Sequence, residues 1–406
     1  MAYQGSSRGN RPRYNSTGRR VPEENDGIIR QIFIPKARDI RRPRISEGTP
    51  DYQFLLVVCL LLAFGLIMLF SAGSFRAFTN FGDSLWYLKR QIRGIIGGAF
   101  FMFLFYKMDY RDLARYSSSI MLICLIMLIL VIIPGVGTTR NGATRWLFSF
   151  QPSEFAKFGI IVSFAHSLSK NRDLLEDFWK GYVPHLVVLG IFAVLLLLEP
   201  HFSCVVLIGL TAVLIMYVAG AKIKHFLITA ALAVPVAIIA IIKEPYRLAR
   251  ITSFFDPFAD KQGDGWQIVQ SLYAIGSGGI FGSGLGKSSQ KYLSLPEPQN
   301  DFIFSVLAEE LGLIGVLILI SLFVFLIYRG IKIAVNAPDM FGTLLATGIV
   351  GMIAFQALIN IAVVTSTVPV TGMPLPFFSF GSTSLMTTMA EMGVVLSVSK
   401  QTKTLL

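Results

Sequence analysis

The sequence predicts an all-α integral membrane protein, a bundle of about ten transmembrane helices with one large extracytoplasmic loop. Two observations carry this. Hydrophobic residues make up 53% of the 406-residue chain and charged residues only 15%, against about 25% charged in soluble domains. From Tyr52 onward, apolar stretches close to the roughly 20 residues needed to cross a bilayer alternate with short polar joints. Cys59, Cys124 and Cys204 are scattered through apolar runs, which excludes a disulfide framework and a zinc site.

Residues 1–50 come first and stand apart. They hold eleven Lys/Arg against five Asp/Glu, half of the chain's net charge of +12. Rich in Arg, Gly, Ser, Asn and Pro, this segment is expected to be a disordered basic cytoplasmic tail. It is too polar for a signal peptide and suits anionic lipid headgroups better than nucleic acid. Residues 51–400 form the polytopic membrane domain. Its expected spans are 52–72, 88–105, 116–134, 152–169, 182–198, 201–220, 225–242, 302–328, 341–364 and 376–398. With the tail inside, the cytoplasmic joints and C-terminus carry twelve Lys/Arg and the opposite short joints six. The positive-inside rule then places both termini in the cytoplasm. The six basic residues outside hint at an anionic ligand on that side. Residues 243–301 form the long extracytoplasmic loop, and chemistry is expected there.

Three features of that loop matter. A glycine-rich run from Gly276 to Gly286 precedes Lys287, but Phe281 stands where a phosphate-binding P-loop needs glycine. The run is either a re-entrant turn or a nest of backbone amides for phosphate. Arg247 and Arg250, three apart, share a helical face and either grip a diphosphate or anchor the chain at the interface. The run Leu295-Pro296-Glu297-Pro298-Gln299-Asn300-Asp301 reaches the start of the eighth span. Asp301 is there either as a helix N-cap or as a general base.

Charges inside spans are functional candidates. Glu154 and Lys157 face each other one turn apart in the fourth span, as a structural ion pair or a catalytic one. Glu391, in the tenth span, is expected to face the bundle interior. The four histidines are scattered and make no metal cluster.

The chain also resembles a known family. The stretches NGATRWL at 141–147, QPSEFAK at 151–157, PYRLARITSFFDPFAD at 245–260, GDGWQIVQSLYAIGSGGIFGSGLGKSSQKYLSLPEP at 263–298, DFIFSVLAEELG at 301–312 and TGMPLPFFSFG at 371–381 carry the resemblance. They resemble the SEDS family of polytopic peptidoglycan polymerases, on the FtsW/SpoVE branch rather than the RodA branch. The resemblance implies a bacterial cytoplasmic-membrane glycosyltransferase that polymerises lipid II. It implies a catalytic Asp301 and important roles for Arg145, Glu154, Lys157 and Glu297. Arg145, Arg247, Arg250 and Lys287 are the expected cations for the diphosphate leaving group. A class B penicillin-binding protein transpeptidase and other division proteins are the expected partners. No metal-ligand set is expected, although a divalent cation (Mg or Mn) could assist. A lipid II flippase and a non-catalytic division scaffold are the rival readings. The chain departs from the family at Gln299-Asn300, where many members have His-Thr, and at Pro200-His201, where Pro-Asp is usual.

Overall fold

A computed structural model of the chain describes residues 48–140, 143–148, 150–243, 250, 252–258, 265–292 and 295–401. The expectation for the basic tail therefore lies outside the described residues, as does Arg247.

Every predicted span is a helix. In order they are α1 (Tyr52–Phe81), α2 (Trp86–Lys107), α3 (Tyr110–Ile132), α4 (Pro152–Lys170), α5 (Val183–Leu198), α6 (Phe202–Ala219) and α7 (Ile223–Ile242). A shorter helix, α8 (Trp266–Gly278), precedes α9 (Ile303–Val335), α10 (Met340–Val364) and α11 (Ser382–Lys400). By length and composition, six are apolar enough to cross a membrane: α1, α3, α5 with the turn before it, α6, α9 and α10. Between α3 and α4 lies one antiparallel hairpin, β1 (Gly137–Arg140) with β2 (Ala143–Leu147).

Local chemistry sets the boundaries. Asp51 caps α1 by accepting from Phe54 N at 2.9 Å. Helix α3 starts six residues before the expected 116. Asp109 accepts from Arg111 N at 3.0 Å, and the buried Arg111 guanidinium is neutralised by Asp339 at 2.8 Å. Helix α11 starts six residues later than the expected 376. Pro374 and Pro376 keep the chain before it out of helical conformation. Small residues bring α2 and α11 into close contact: a Cβ on Gly393 would stand 2.3 Å from the carbonyl of Met102.

The long loop is more structured than its polar sequence suggests. Helix α8 packs beside α9, and the glycine-rich turn after it enters a kink in α9 at Gly312. There φ is +63°, which glycine adopts without strain. Ser283 N and Gly284 N donate to the carbonyls of Glu309 and Glu310, each at 2.9 Å, and Leu313 N donates to Gly279 O at 3.0 Å. The run is thus a re-entrant turn, and two of its amides serve α9 rather than a phosphate. Below it the buried Lys291 pairs with Glu310 at 2.8 Å, while Glu309 accepts from the hydroxyls of Ser288 and Ser289.

The two ends of the described chain meet. Gly48 N donates to Lys400 O at 2.8 Å, and Arg329 of α9 pairs with Asp51 at 2.5 Å. Both ends of the described chain thus lie at one end of the helix bundle.

Candidate active site

At the opposite end of the bundle, the segment between α10 and α11 runs without regular structure, and its backbone-to-backbone hydrogen bonds among the described residues lie on either side of residues 369–374. Four side chains hold the carbonyls in between. Arg250 Nη1 donates to Val370 O at 2.8 Å, and Ser203 Oγ at the start of α6 donates to Thr371 O. Two amides of α10 do the rest: Asn360 Nδ2 donates to Met373 O at 2.6 Å and Gln356 Nε2 to Pro374 O at 2.9 Å. Gly372, in the middle, has φ +67°, and a Cβ there would lie 3.3 Å from Asp301 Oδ2. The strap therefore presses bare backbone against the carboxylate.

Asp301 is not a helix cap. The N-cap of α9 is Phe302, which makes no side-chain capping bond, and Asp301 is fixed through its carbonyl, which accepts from Asn360 Nδ2 at 2.8 Å. Its carboxyl group is left for other work. Burial, followed by the charge of Glu297, pushes it up to about 6, against the opposing pull of Arg250 and Arg145.

The neighbours are placed by their own loops. Glu297 sits at φ +47° and accepts from Gln299 Nε2 at 2.9 Å and Asn300 Nδ2 at 2.8 Å, with Arg76 3.7 Å away. The two residues that depart from the family pattern thus orient Glu297. Arg145, carried by β2, donates through Nε to Glu199 O at 3.2 Å and through Nη2 to Pro200 O, tying the hairpin to the α5–α6 connection. Deeper in the bundle, Lys157 pairs with Glu154 at 2.9 Å and reaches Gln356 Oε1 at 3.4 Å. The ion pair is therefore linked through Gln356 to the strap over Asp301. Glu391 is buried within the charge field of Lys157, facing inward as predicted.

Of the residues singled out from sequence, Asp301, Glu297, Arg145 and Arg250 share this end of the bundle. Lys287 does not join them. It is exposed on the glycine-rich turn, which packs against Glu309 and Glu310, about 12 Å along α9 from Asp301 at 1.5 Å per residue. Sequence reasoning missed Ser203, Gln356, Asn360 and Gly372. The signal for two of them was present, since Gln356 and Asn360 lie four apart on one face of an otherwise apolar helix. Among the described residues, no three His, Cys, Asp or Glu side chains are grouped to hold a metal ion. Glu297 and Asp301 are the acidic pair at this site.

A many-spanned helical membrane protein with a carboxylate held under a backbone strap between guanidinium groups is the class that fold and site define. Comparison with known proteins narrows it. The chain belongs to the cell cycle protein family of FtsW, RodA and SpoVE, which it matches over residues 52–404. It is 42% identical to stage V sporulation protein E of Bacillus subtilis (strain 168) over 363 residues, 88% of this chain and 99% of the relative. It is 39% identical to the probable peptidoglycan glycosyltransferase FtsW of Trichlorobacter lovleyi over 365 residues, 89% of this chain and 95% of that one. The solved structure of a peptidoglycan synthase complex that coordinates polymerization and crosslinking contains a chain with the same fold. Its TM-score is 0.72 at 30% identity, covering 86% of this chain and 97% of that one.

Proposed function

We propose that this protein is a peptidoglycan glycosyltransferase that polymerises lipid II into glycan strands at the outer face of the bacterial cytoplasmic membrane, in cell division or sporulation. The observation that carries the proposal is the isolation of Asp301. It is half-buried against the Gly372 backbone, lies in the charge field of Arg250 and Arg145, and among the described residues serves as no cap and in no ion pair. In the reaction, the 4-hydroxyl of the acceptor sugar attacks the anomeric carbon of the donor glycan. Asp301 accepts the hydroxyl proton as the new C–O bond forms. The bond from the anomeric carbon to undecaprenyl diphosphate breaks, and its electron pair leaves on the diphosphate. Arg145 and Arg250 stand where that charge develops. The direct test is strand formation from purified lipid II by the purified protein.

The pH dependence follows from the site. A base must be ionised, and the folded carboxyl is raised to about 6 by burial and Glu297, against Arg250 and Arg145. The rate is therefore expected to be full above that value and to fall as pH drops through it, roughly tenfold per pH unit. A rate unchanged down to the ordinary carboxylate range would remove Asp301 from the role of base.

A membrane-anchored class B penicillin-binding protein is the fitting partner, because the reaction makes strands without crosslinks. Orientation is also part of the proposal: both termini face the cytoplasm and the glycine-rich turn faces outward. A cysteine placed at the exposed Ser289 should react with an impermeant thiol reagent in intact cells, and one at Asn336 should be protected. The reverse pattern would invert the topology.

A further inference from the structure

The connection between α5 and α6 carries groups that this mechanism leaves idle. Glu199 is 1% exposed, and neither of its carboxyl oxygens meets a hydrogen-bond partner among the described residues. Two more buried atoms near it are in the same state, Nδ1 of His201 and Oγ1 of Thr371, whose carbonyl is held by Ser203. Buried polar groups are almost always satisfied, and four orphan atoms on this connection and on the strap that Ser203 ties to it mark a site built to receive something. The Arg145 guanidinium holds the carbonyls of Glu199 and Pro200, and its charge reaches both Glu199 and Asp301. The orphans therefore lie in the same electrostatic compartment as the base.

We propose that Glu199 enters the reaction as a protonated carboxylic acid, donating a hydrogen bond to a phosphate oxygen of the lipid-linked leaving group beside Arg145. This rests on the glycosyl-transfer reading above. An ionised Glu199 would cancel the charge of Arg145 and repel a diphosphate. A neutral acid instead offers one O–H donor and adds no negative charge beside the guanidinium. No proton leaves Glu199. As the glycosidic electron pair moves onto the diphosphate, the existing hydrogen bond strengthens with the charge it meets. Thr371 and His201 add neutral polar groups to the same pocket. Burial, with Arg145 and Lys157, pushes His201 down to about 3, so its ring is uncharged. Burial likewise pushes Glu199 up to about 8 against the pull of Arg145. The charged and titratable groups around it are Arg145 on β2, His201 just before α6, Cys204 on α6, and Glu154 and Lys157 on α4 beyond Cys204. The donor is therefore present below about pH 8 and lost as pH rises through that value.

The experiment uses the purified full-length chain with Glu199→Gln and Glu199→Ala variants. It measures polymerisation of lipid II across the pH range and, separately, binding of undecaprenyl diphosphate. Glu199→Ala should lower kcat and weaken undecaprenyl diphosphate binding, each by about ten- to a hundredfold, the loss of one hydrogen bond to a charged group. Glu199→Gln carries an N–H donor at every pH. It should recover most of that loss and remove the alkaline decline expected of the parent near pH 8. A Glu199→Ala protein with parental rate and affinity, or a Glu199→Gln protein with the alkaline decline intact, overturns the proposal. Should the parent bind undecaprenyl diphosphate in a Glu199-dependent way yet form no polymer, the polymerase reading fails while the phosphate contact stands. Should it polymerise while Glu199→Ala is indifferent, only the Glu199 assignment fails.

Discussion

Asp301→Asn is expected to abolish strand formation, lowering the rate by about two or more orders of magnitude, as the removal of a general base does. The fold should not notice the change. Asn is isosteric, the Asp301 carbonyl keeps its bond from Asn360 Nδ2, and the side chain caps no helix. The burial that raises the carboxyl also makes a neutral amide easier to accommodate than the charge it replaces. Asp301→Glu should recover little. With Gly372 backbone against the carboxylate, an added methylene has no room to retract, and a working site tolerates only about 0.5 Å of displacement. The check is polymerisation of lipid II by variants whose insertion and thermal stability match the parent. The same variant separates the rivals, since a flippase or a scaffold needs no base and should survive it. Strand synthesis at near the parental rate by a well-folded Asp301→Asn protein would sink the mechanism.

The second large effect lies deeper and should be read out differently. Glu154→Gln strands Lys157, which is 5% exposed and pairs with Glu154 at 2.9 Å. Removing one member of a buried ion pair costs about 3–5 kcal/mol, because the surviving charge stays desolvated without its partner. The variant is expected to melt at a clearly lower temperature in detergent and to insert poorly. Replacing both members, with Glu154→Gln and Lys157→Met, should restore much of the stability, since no naked charge remains. Activity should follow less completely, because Lys157 also reaches Gln356, whose amide holds the Pro374 carbonyl of the strap. Denaturation curves of the single and double variants decide this. A single variant as stable as the parent would show that Glu391, also within reach of Lys157, takes over the pairing.

Much of this protein is decided by sequence alone, for physical reasons that act locally. The length and apolar character of each stretch predicted ten spans, because a bilayer imposes its thickness on every crossing; all ten are helices, and six are long and apolar enough to cross on that ground alone. The alternation of charged joints predicts which ends share a side. The motif around Asp301 singled out the carboxylate proposed as the base. Tertiary structure decided what no local rule could. It turned the glycine-rich run from a possible phosphate nest into a wedge in α9, because the Glu309 and Glu310 carbonyls freed by the Gly312 kink lie far along the chain from the amides of Ser283 and Gly284 that use them. It settled that Asp301 is no cap, a matter of where α9 begins rather than of which residue precedes it. It separated Lys287 from the other cations and brought in Ser203, Gln356 and Asn360, whose partners are backbone carbonyls of a distant segment. Backbone acceptors have no sequence signature. A strap held by four side chains from across the chain can be read only once the helices that carry them are packed together.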